Sequence, residues 1–576
     1  MDLVVALVGG LAQVLQVQAG SPGDRWTIEL ADLPAWVAGQ ETRRPRWVWA
    51  DSSDVYAVLL RAGVPVRHAV DLRLVRGILR RAEATAGTAY AQAPATAWDL
   101  AAPGSGPRTD AGVIDPGATL FDLPSQGPRI EECLVEHRAQ QECLAQVDDA
   151  RLRLLCHAES VGGLIAQELN HVGVPFSVQT HERLLTDLLG APDPQGGRPW
   201  RMWQLCDQVR EALGAPGLNP DSAPELISAL RRAGLDVAST RQWELEQIDH
   251  PAIPPLLAYK KLGRLHTANG WHWLATWVRD DRFRPDWVAG GVVTGRWASR
   301  GGGALQLPRQ IRSAVRATPG WRLVVADAAQ LEPRVLAAIS GDEAMARAAS
   351  AGDLYQGLVD QGVLATRELA KLAMLGAMYG ATTGEAGALM PGLRRAYPRA
   401  IGLVDAAAQV GERGEQVRTW LGRTSPPPSS GWREVQSLAQ QPGAGDGAER
   451  RARQAARDWG RFTRNFVVQG TAAEWALCWM GHLRRLLEDT FGAPPPAADA
   501  VDRPAGGPAG GARSPRPELV YFLHDEVIVH TPQEYADDVT EAVLEAARAA
   551  GSLLFGRFPV EFPLDVAVVE SYDQAG

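Results

Sequence analysis

Two carboxylates that each adjoin a short apolar run are the first sign of chemistry in this sequence. Asp525 lies in FLHDEVIVH (522–530), where His524-Asp525-Glu526 separates two runs rich in β-branched and aromatic residues. Asp327 follows the run LVVA (323–326). Such runs predict buried strands. Brought together across one sheet, the two carboxylates would form a site for Mg²⁺, which takes one or two carboxylates together with substrate phosphates and waters.

Each carboxylate alone also has a simpler interpretation. The His-Asp-Glu triplet fits a solvated hairpin turn, although Asn-Gly or Asp-Gly is the usual turn sequence. Asp327 fits the N-cap of a helix, because the sequence predicts a helix that begins near Leu331 and has Pro333 in its first turn. Partners elsewhere in the chain must decide between these interpretations.

A stripe of residues in RELAKLAMLGAMYG (367–380) suits a nucleotide. The segment contains four residues spaced by four: Arg367, Lys371, Leu375 and Tyr379. This spacing places them along one side of an α-helix. The order of two cations, an apolar residue and an aromatic residue suits a triphosphate with a base stacked beyond it. A surface helix whose cationic side chains lie along apolar surface is the alternative.

A second helix, predicted from RFTRNFVVQGTAAEWALCWM (461–480), repeats the spacing with Arg461, Asn465 and Gln469. Its face offers groups that hydrogen-bond the acceptors on base edges in a minor groove. The chain has a net charge of −9, yet residues 287–326 contain six arginines and no acid, and residues 450–464 contain six arginines and one acid. These stretches favour an anion-binding groove, with a solvated charged face as the alternative.

Length and composition indicate an ordinary globular protein. With 576 residues the chain suits roughly three to five domains, and 45% hydrophobic with 22% charged residues is typical of globular chains. No apolar run approaches the roughly 18 residues of a membrane span. The five cysteines are scattered and form no CxxC pair, which favours a reduced cytoplasm.

The pattern along the chain predicts an α/β unit first and helices after it. Residues 1 to about 125 alternate apolar segments with Gly/Pro breaks, and residues 131–190 and 221–278 have helical spacing. Strands and helices mix from about Asp286 onward. SPPPSS (425–430) and residues 494–517 predict mobile surface loops.

In this order and at these separations, the motifs resemble those of DNA polymerase family A, the bacterial DNA polymerase I type. The segments that carry the resemblance are DAAQLEPR (327–334, motif A), RELAKLAMLGAMYG (367–380, motif B), LHDEV (523–527, motif C), TGRWASRGGGALQLP (294–308), RNFVVQGTAAE (464–474) and RRAYPRAIGLVDAAAQVGERGEQVRTWLGRTSPP (394–427). The resemblance covers about residues 155–576.

The resemblance implies an α+β multidomain protein with the right-hand palm, fingers and thumb fold, preceded by an N-terminal α/β ribonuclease H-like domain of the exonuclease type. The implied domains are a degenerate 3′–5′ exonuclease-like domain (1–125), connecting helices (126–204), a thumb (205–285), and palm and fingers (286–576, with the fingers at about 341–455).

The resemblance also implies a role for each motif residue. Asp327 and Asp525 hold two Mg²⁺ ions, and Glu526 is a further catalytic carboxylate. Lys371 contacts the triphosphate and is the candidate proton donor to pyrophosphate. The other residues at the nucleotide are Arg367, Leu375, Tyr379, Gln330 and Glu332, of which Glu332 crowds the sugar C2′ and excludes ribonucleotides. The residues that contact DNA are Arg296, Arg461, Asn465, Gln469 and His524.

The implied function is a template-directed DNA polymerase. It adds dNTPs to the 3′-hydroxyl of primer–template DNA by two-metal nucleotidyl transfer, in repair or replication. It does so without proofreading, as a monomer in the bacterial cytoplasm, at the nucleoid and not at a membrane. A catalytically weak primer–template-binding protein is one alternative, because Leu375 stands where the family usually has Phe or Tyr. The other alternative is a bifunctional 3′–5′ exonuclease and DNA polymerase.

The exonuclease alternative lacks its metal ligands in the sequence. The family's exonuclease needs a D-x-E on its first strand, and no D-x-E occurs in the first 125 residues. The first strand, interpreted as VVALVGGLAQVLQ (4–16), has no acid. Asp71 resembles a helix-start residue of that fold. We therefore expect an inactive exonuclease scaffold.

Overall fold

The protein is described by a computed structural model that covers residues 1–18, 20–99, 127–193, 196–301, 303, 307–350, 352–380, 384–442, 444–492 and 515–576. These residues form two compact units of mixed helices and strands, which confirms the α+β multidomain class. The first unit comprises Met1–Val172, Asp286–Arg300 and Gly320–Val569, and the second Gly173–Pro285, Gly301–Pro319 and Glu570–Gly576. Among the described helices, none combines the length and hydropathy that a membrane span needs.

The strands of the described residues are short and lie in four sheets. They are β1 (Asp2–Val8), β2 (Leu11–Gln18), β3 (Ser21–Glu29), β4 (Arg46–Trp49), β5 (Ala69–Asp71), β6 (Val174–Pro175), β7 (Val278–Arg279), β8 (Arg282–Phe283), β9 (Asp286–Val288), β10 (Ala298–Arg300), β11 (Trp321–Ala328), β12 (Glu518–Leu523), β13 (Glu526–Pro532) and β14 (Leu564–Val569).

The helices range from a single turn to the long α20. They are α1 (Leu33–Glu41), α2 (Ser52–Arg61), α3 (Leu72–Leu79), α4 (Ala89–Gln92), α5 (Ile130–Val147), α6 (Ala150–Val172), α7 (Val178–Leu189), α8 (Trp200–Ala212), α9 (Ala223–Arg232), α10 (Gln242–Leu245), α11 (Ile253–Asn269), α12 (Trp271–Trp277), α13 (Leu331–Ser340), α14 (Glu343–Ala349), α15 (Leu354–Asp360), α16 (Arg367–Tyr379), α17 (Gly384–Ala396), α18 (Pro398–Glu412), α19 (Ser430–Ala439), α20 (Asp446–Phe491) and α21 (Ala536–Phe555). The helical expectations for residues 131–190 and 221–278 are confirmed.

The N-terminal sheet of the first unit has the order β3-β2-β1-β4-β5. The first three strands are antiparallel neighbours, and β4 and β5 extend the sheet in parallel from β1. Gly9 and Gly10 connect β1 to β2 with φ of 58° and 86°, the pair of left-handed residues that a type I′ hairpin requires. The α/β expectation for this region is confirmed, but the expectation of one strand over residues 4–16 is wrong, because the two glycines divide it.

The second sheet of the first unit is antiparallel throughout, in the order β12-β13-β11-β14. Its central strands β11 and β13 bury their apolar residues, Leu323 to Ala326 and Val527 to Val529. Helix α21 packs against β11, β13 and β14, and also against α20. Burial of each such aliphatic side chain stabilises the sheet by about 1.5–3 kcal/mol. The ends of β11 and β13 are therefore fixed points from which side chains project.

Helix α16 is buried along one side only. Its N-cap Thr366 accepts a hydrogen bond from the backbone N–H of Leu369 at 3.2 Å, and it ends at Gly380, whose φ of 76° is left-handed. The buried face packs into a helical core whose members include Ala370, Ala373, Met374, Ala377, Leu354, Leu358, Met390 and Val468. The four residues of the stripe lie on the opposite side and are exposed, which confirms the predicted face.

The second unit is mainly helical. It contains α7 to α12 and the three-stranded sheet β6-β8-β7. The core of α8, α9, α10 and α11 is aliphatic and includes Val209, Leu226, Leu230, Leu245 and Leu256. The assignment of residues 205–285 to a thumb stays a prediction, as do the other domain boundaries.

The two predicted loops have different outcomes. Ser425 in SPPPSS is fully buried, and it donates its backbone N–H to the carbonyl of Val417 at 2.8 Å while its Oγ accepts from the Val417 N–H. Ser429 of the same stretch caps α19. The surface-loop expectation is therefore wrong for Ser425, because pairing with Val417 holds it inside. Most of the other predicted loop, residues 493–514, lies outside the described residues.

Candidate active site

The turn between β12 and β13 presents Asp525 beside the end of β11. The predicted hairpin is confirmed. His524 takes a left-handed conformation with φ of 57°, and the N–H of Asp525 donates to the carbonyl of Leu523 at 2.6 Å. The N–H of Ala328, one residue after Asp327, donates to the carbonyl of Asp525 at 2.8 Å. This bond fixes the turn to β11, and the three residues of the triplet are half-buried rather than fully solvated.

Three acids stand side by side across the sheet. Asp327 on β11 is paired in register with Glu526 on β13 and with Asp565 on β14. Residues opposite each other on antiparallel strands have Cβ atoms roughly 4.5–5.5 Å apart and share a face. Asp327 is a strand residue, and the N-cap of α13 is Gln330, so the helix-cap interpretation of Asp327 is wrong. Asp565 was not singled out from the sequence, because only strand pairing places it beside motif A.

The electrostatics of the acids fit a divalent cation. Burial, together with the negative charge of Asp327 and against the opposing charge of Arg296, raises the pKa of Asp525 to about 7. Burial also raises the pKa of Asp327, with repulsion from Asp565 added. Carboxylates that repel each other in a partly buried site are stabilised by a bound cation. In the described chain, no group of three or more His, Cys, Asp or Glu is placed to hold a metal ion.

Arg296, Glu332 and Tyr379 form a connected group next to the acids. The Arg296 guanidinium pairs with the Glu332 carboxylate, and the Tyr379 hydroxyl donates to Glu332 at 3.0 Å. Burial raises the pKa of Tyr379 to about 12, with the charge of Glu332 adding to the rise. Burial and the nearby Arg296 lower the pKa of His524 to about 4, so His524 is a neutral imidazole at pH 7. Motif A, motif B, motif C and the segment that begins TGR (294–308) thus converge on one place.

The backbone around Arg296 leaves room only for glycine. Gly295 has a φ of 88°, and a Cβ there would lie 2.6 Å from the Arg423 side chain. The N–H of Gly295 donates to the carbonyl of Val292 at 2.8 Å, which closes a tight turn between β9 and β10. Arg423 is itself paired with the buried Glu159 at 2.6 Å. These contacts therefore restrain the backbone that carries Arg296.

The three other residues of the stripe lie further from the acids along α16. Arg367 donates from Nε to Asp353 at 2.7 Å. Lys371 is exposed one turn further along α16, and Leu375 is 36% exposed beyond it. Gln330 has a left-handed φ of 56° and donates from Nε2 to the same Asp353 at 2.8 Å. Asp353, which is not part of the sequence motifs, thus accepts hydrogen bonds both from the stripe and from the turn that follows β11.

The three residues predicted to share a face of α20 do so, and this part of α20 packs against α16. Arg461 pairs with Asp458, while Asn465 and Gln469 are half-buried one and two turns further. A Cβ on Gly380 would lie 2.8 Å from the Arg461 stem, so this glycine permits the close approach of α16 and α20. Arg464 donates to the carbonyl of Ala377 at 2.6 Å. The link between the two helices was not apparent from the four-residue spacing.

Comparison with known proteins relates these features to one family. Residues 224–574 match the model of DNA polymerase family A. The chain is 27% identical over 460 residues to the thermostable DNA polymerase I of Thermus aquaticus, covering 73% of this chain and 45% of that protein. It is 26% identical over 589 residues to the thermostable DNA polymerase I of Thermus thermophilus, covering 91% and 61%. The chain thus spans about half the length of the curated relatives it matches.

A solved structure shares the fold. The POL domain of Pol1 from M. smegmatis, in complex with a DNA primer–template and dNTP, aligns with a TM-score of 0.67 at 18% identity. The alignment covers 100% of this chain and 95% of that one. The N-terminal sheet and the sheet that carries the acids therefore both belong to an architecture already seen in a POL domain, which confirms the expected fold.

Proposed function

Because this chain belongs to DNA polymerase family A, we propose that it is a DNA-directed DNA polymerase that extends the 3′-hydroxyl of a primer by template-directed addition of deoxynucleotides. The observation that carries the proposal is the convergence of Asp525, Asp327 and the Arg296–Glu332–Tyr379 group at one end of an antiparallel sheet. Primer–template DNA and dNTPs are its proposed partners. The proposed location is the bacterial cytoplasm, at the nucleoid, and the proposed state is a monomer acting in repair or replication.

Asp327 and Asp525 are the proposed ligands of two Mg²⁺ ions. Hard carboxylate oxygens suit this ion. The pKa values of both carboxyls are raised by burial first and by repulsion from a neighbouring acid second, and a bound cation would offset both effects. Asp327 and Asp525 would hold the ions where, when bound, they would lower the pKa of the primer hydroxyl and neutralise charge on the triphosphate. Glu526 is a further catalytic carboxylate in register with Asp327. The backbone bond from Ala328 to Asp525 holds the ligand pair in place.

The exposed stripe of α16 is proposed to bind the nucleotide. Arg367 and Lys371 attract the triphosphate, and Lys371 can give a proton to the departing pyrophosphate. Leu375 and Tyr379 then lie towards the sugar and the base, and Gln330 supports the turn after Asp327. Glu332 crowds the sugar C2′. Its pairing with Arg296 and Tyr379 fixes the carboxylate in place, so a ribose 2′-hydroxyl would meet a side chain that cannot move aside.

Arg296, Arg461, Asn465, Gln469 and His524 are proposed to contact the primer–template. Minor-groove acceptors are common to all correct base pairs, so amide and guanidinium donors there test the shape of a pair rather than its sequence. His524 is neutral at pH 7 because its pKa is lowered to about 4 by burial and by Arg296. It therefore offers the primer end a hydrogen bond without a charge.

We propose that the N-terminal domain does not proofread. Asp2 at the start of β1 is bound by Arg46 at 2.6 Å and by His137 at 3.0 Å. Asp71 at the end of β5 accepts from Ser52 N–H at 2.7 Å and from Leu74 N–H at 3.0 Å, in the helix-start role predicted for it. Both acids are thus engaged in structural contacts, which supports an inactive scaffold.

Primer extension tests the proposal. A labelled primer–template is incubated with Mg²⁺ and dNTPs, and a second reaction omits all nucleotides. The proposal predicts extension in the first reaction and an intact primer in the second. Tight binding of the DNA without extension would favour the alternative of a catalytically weak binding protein, and shortening of the primer in the second reaction would show a working exonuclease.

The incorporation rate is expected to fall as the pH drops below about 7, by about tenfold per pH unit at low Mg²⁺. The reason is that the pKa of Asp525 is raised to about 7, and its protonated form cannot hold a cation. Higher Mg²⁺ should move the midpoint to lower pH, because the cation competes with the proton. Single-nucleotide incorporation from about pH 5.5 to 8.5 at two Mg²⁺ concentrations measures both effects, at roughly constant ionic strength. A pH midpoint that does not change with the Mg²⁺ concentration would contradict the assignment of Asp525 as a metal ligand.

Glu332→Ala is expected to increase the ratio of ribonucleotide to deoxynucleotide incorporation by on the order of a hundredfold. The substitution removes the side chain that crowds C2′. It also leaves Arg296 and Tyr379 without their shared carboxylate, so deoxynucleotide incorporation should slow as well. Glu332→Gln is the matched control: it keeps the size of the side chain and should keep most of the discrimination. Competition between dNTP and rNTP in primer extension gives the ratio, and an unchanged ratio for Glu332→Ala would exclude this gate.

A further inference from the structure

Asp353 is a carboxylate that both halves of the proposed site contact. It is the N-cap of α15, and its Oδ1 accepts the N–H groups of Tyr355 at 2.9 Å and Gln356 at 3.1 Å. The same Oδ1 accepts from Gln330 Nε2 at 2.8 Å, and Oδ2 accepts from Arg367 Nε at 2.7 Å. One oxygen is thus tied to the turn that follows Asp327, and the other to the first residue of α16.

The Gln330 side of this link is fixed from two directions. Besides its bond to Asp353, Gln330 accepts the backbone N–H of Leu354 through Oε1 at 2.8 Å. Gln330 is one of few described residues other than glycine with a left-handed φ, a conformation that needs support from its surroundings. The paired bonds to the start of α15 supply that support. Asp353 therefore has a fixed position relative to the strand that carries Asp327.

The bond between Asp353 and Arg367 orients the Arg367 guanidinium. Asp353 engages Nε, and in the part of the chain that the structure describes the two terminal amino groups of Arg367 have no hydrogen-bond partner. The guanidinium lies 5.8 Å from the ring centre of Tyr355, so the carboxylate and the ring restrict its plane. When a guanidinium is bound through Nε, its two terminal amino groups can still donate to a second anion. The spacing of these two groups matches two oxygens of a phosphate.

We infer that Asp353 is a positioning residue that aims the Arg367 guanidinium at the triphosphate of the incoming nucleotide and keeps it in register with Asp327. The inference rests on the proposed function and deepens it. Asp353 touches neither the nucleotide nor the metal ions in this role. It acts through Arg367, and its effect is on nucleotide binding rather than on the bond-forming step.

A double-mutant cycle tests the inference. KM and kcat for the correct dNTP are measured in primer extension for the unchanged chain, Asp353→Ala, Arg367→Ala and the double variant. Asp353→Ala should raise KM by about tenfold, as expected for loss of a charge-assisted hydrogen bond, and change kcat less. In the Arg367→Ala background the same substitution should change KM by less than about twofold, because the residue it positions is gone.

Two further variants separate positioning from loss of the helix cap. Asp353→Asn keeps an oxygen acceptor and should bring KM back to within about threefold of the unchanged chain. Asp342 caps α14 in the same way, accepting from Met345 N–H at 3.1 Å, and the other hydrogen bond that its side chain accepts in the described structure is from the Ala400 N–H at 3.1 Å, outside the site. Asp342→Ala should lower the Tm. It should leave KM unchanged, and Arg367→Ala should raise KM by the same factor with and without it.

The outcomes are distinct. An equal increase of KM with and without Arg367 would overturn the inference in favour of a structural cap, and a lower KM for Asp353→Asn would overturn it in favour of a carboxylate that competes with the nucleotide. Both leave the proposed function intact, because extension still occurs. If the unchanged chain fails to extend any primer, the proposed function itself fails and the inference with it.

Discussion

Asp525→Asn is expected to lower the rate of nucleotide incorporation by at least about a thousandfold. The substitution keeps the shape of the side chain and the backbone bond from Ala328, but it replaces a charged oxygen ligand with a neutral amide. Primer–template binding, measured by fluorescence anisotropy, should stay within about threefold because the proposed DNA contacts are on other residues. Single-turnover incorporation measures the rate, and a rate close to that of the unchanged chain would contradict the site assignment.

The same substitution should stabilise the metal-free protein. The pKa of Asp525 is raised to about 7 in the folded chain, so between about pH 4 and 7 the folded state binds more protons than the unfolded state and stability falls as the pH rises. The asparagine side chain carries no charge and escapes this cost. The free energy of unfolding at about pH 8 should rise by on the order of 1 kcal/mol, and Mg²⁺ should then raise the Tm of the unchanged chain only. Glu541→Gln, an exposed change beyond the first turn of α21, is the matched control and should alter neither property.

Lys371→Ala is expected to lower kcat by about a hundredfold or more, the range for a lost general acid. Lys371 is exposed on the side of α16 that faces away from its core, so the substitution removes a cation and a proton donor without creating a cavity. Pre-steady-state incorporation kinetics separate the bond-forming step from nucleotide binding. A variant that changes only KM would assign Lys371 to binding alone.

Two control variants make this result specific. Lys371→Arg keeps the charge but holds its proton more tightly, since arginine has a pKa above about 12. It should therefore restore nucleotide binding while kcat stays low. Glu368→Ala alters an exposed residue of the same helix that lies off the stripe, and it should leave both constants within about threefold.

The local elements around the site are those that the sequence predicts. The apolar runs beside Asp327 and Asp525 form β11 and the β12–β13 hairpin, because short runs rich in β-branched and aromatic residues favour buried strands. The spacing of four in residues 367–379 predicts the exposed stripe of α16, because residues at that spacing share a helix face. The N-terminal hairpin could also have been predicted, since Gly9-Gly10 is a signal for a type I′ turn.

The residues that sequence reasoning missed are those defined by pairing between distant segments. Asp565 stands beside Asp327 only because β14 pairs with β11 in that register, and a shift of one residue would turn it to the other face. Asp353 looks like an ordinary helix cap, and its contact with Arg367 depends on how α15 packs against α16. Such contacts leave no local pattern, because they arise from the packing of elements that are already formed.

The central claim is that this site copies a template. Its most direct test is single-nucleotide incorporation on four primer–templates that differ only in the templating base, with each dNTP offered separately in the presence of Mg²⁺. We expect the complementary dNTP to be incorporated at least about a hundredfold more efficiently than any other in each case, and Asp327→Asn to abolish incorporation throughout. Incorporation that does not follow the templating base, or that survives Asp327→Asn, would contradict template-directed synthesis at this site.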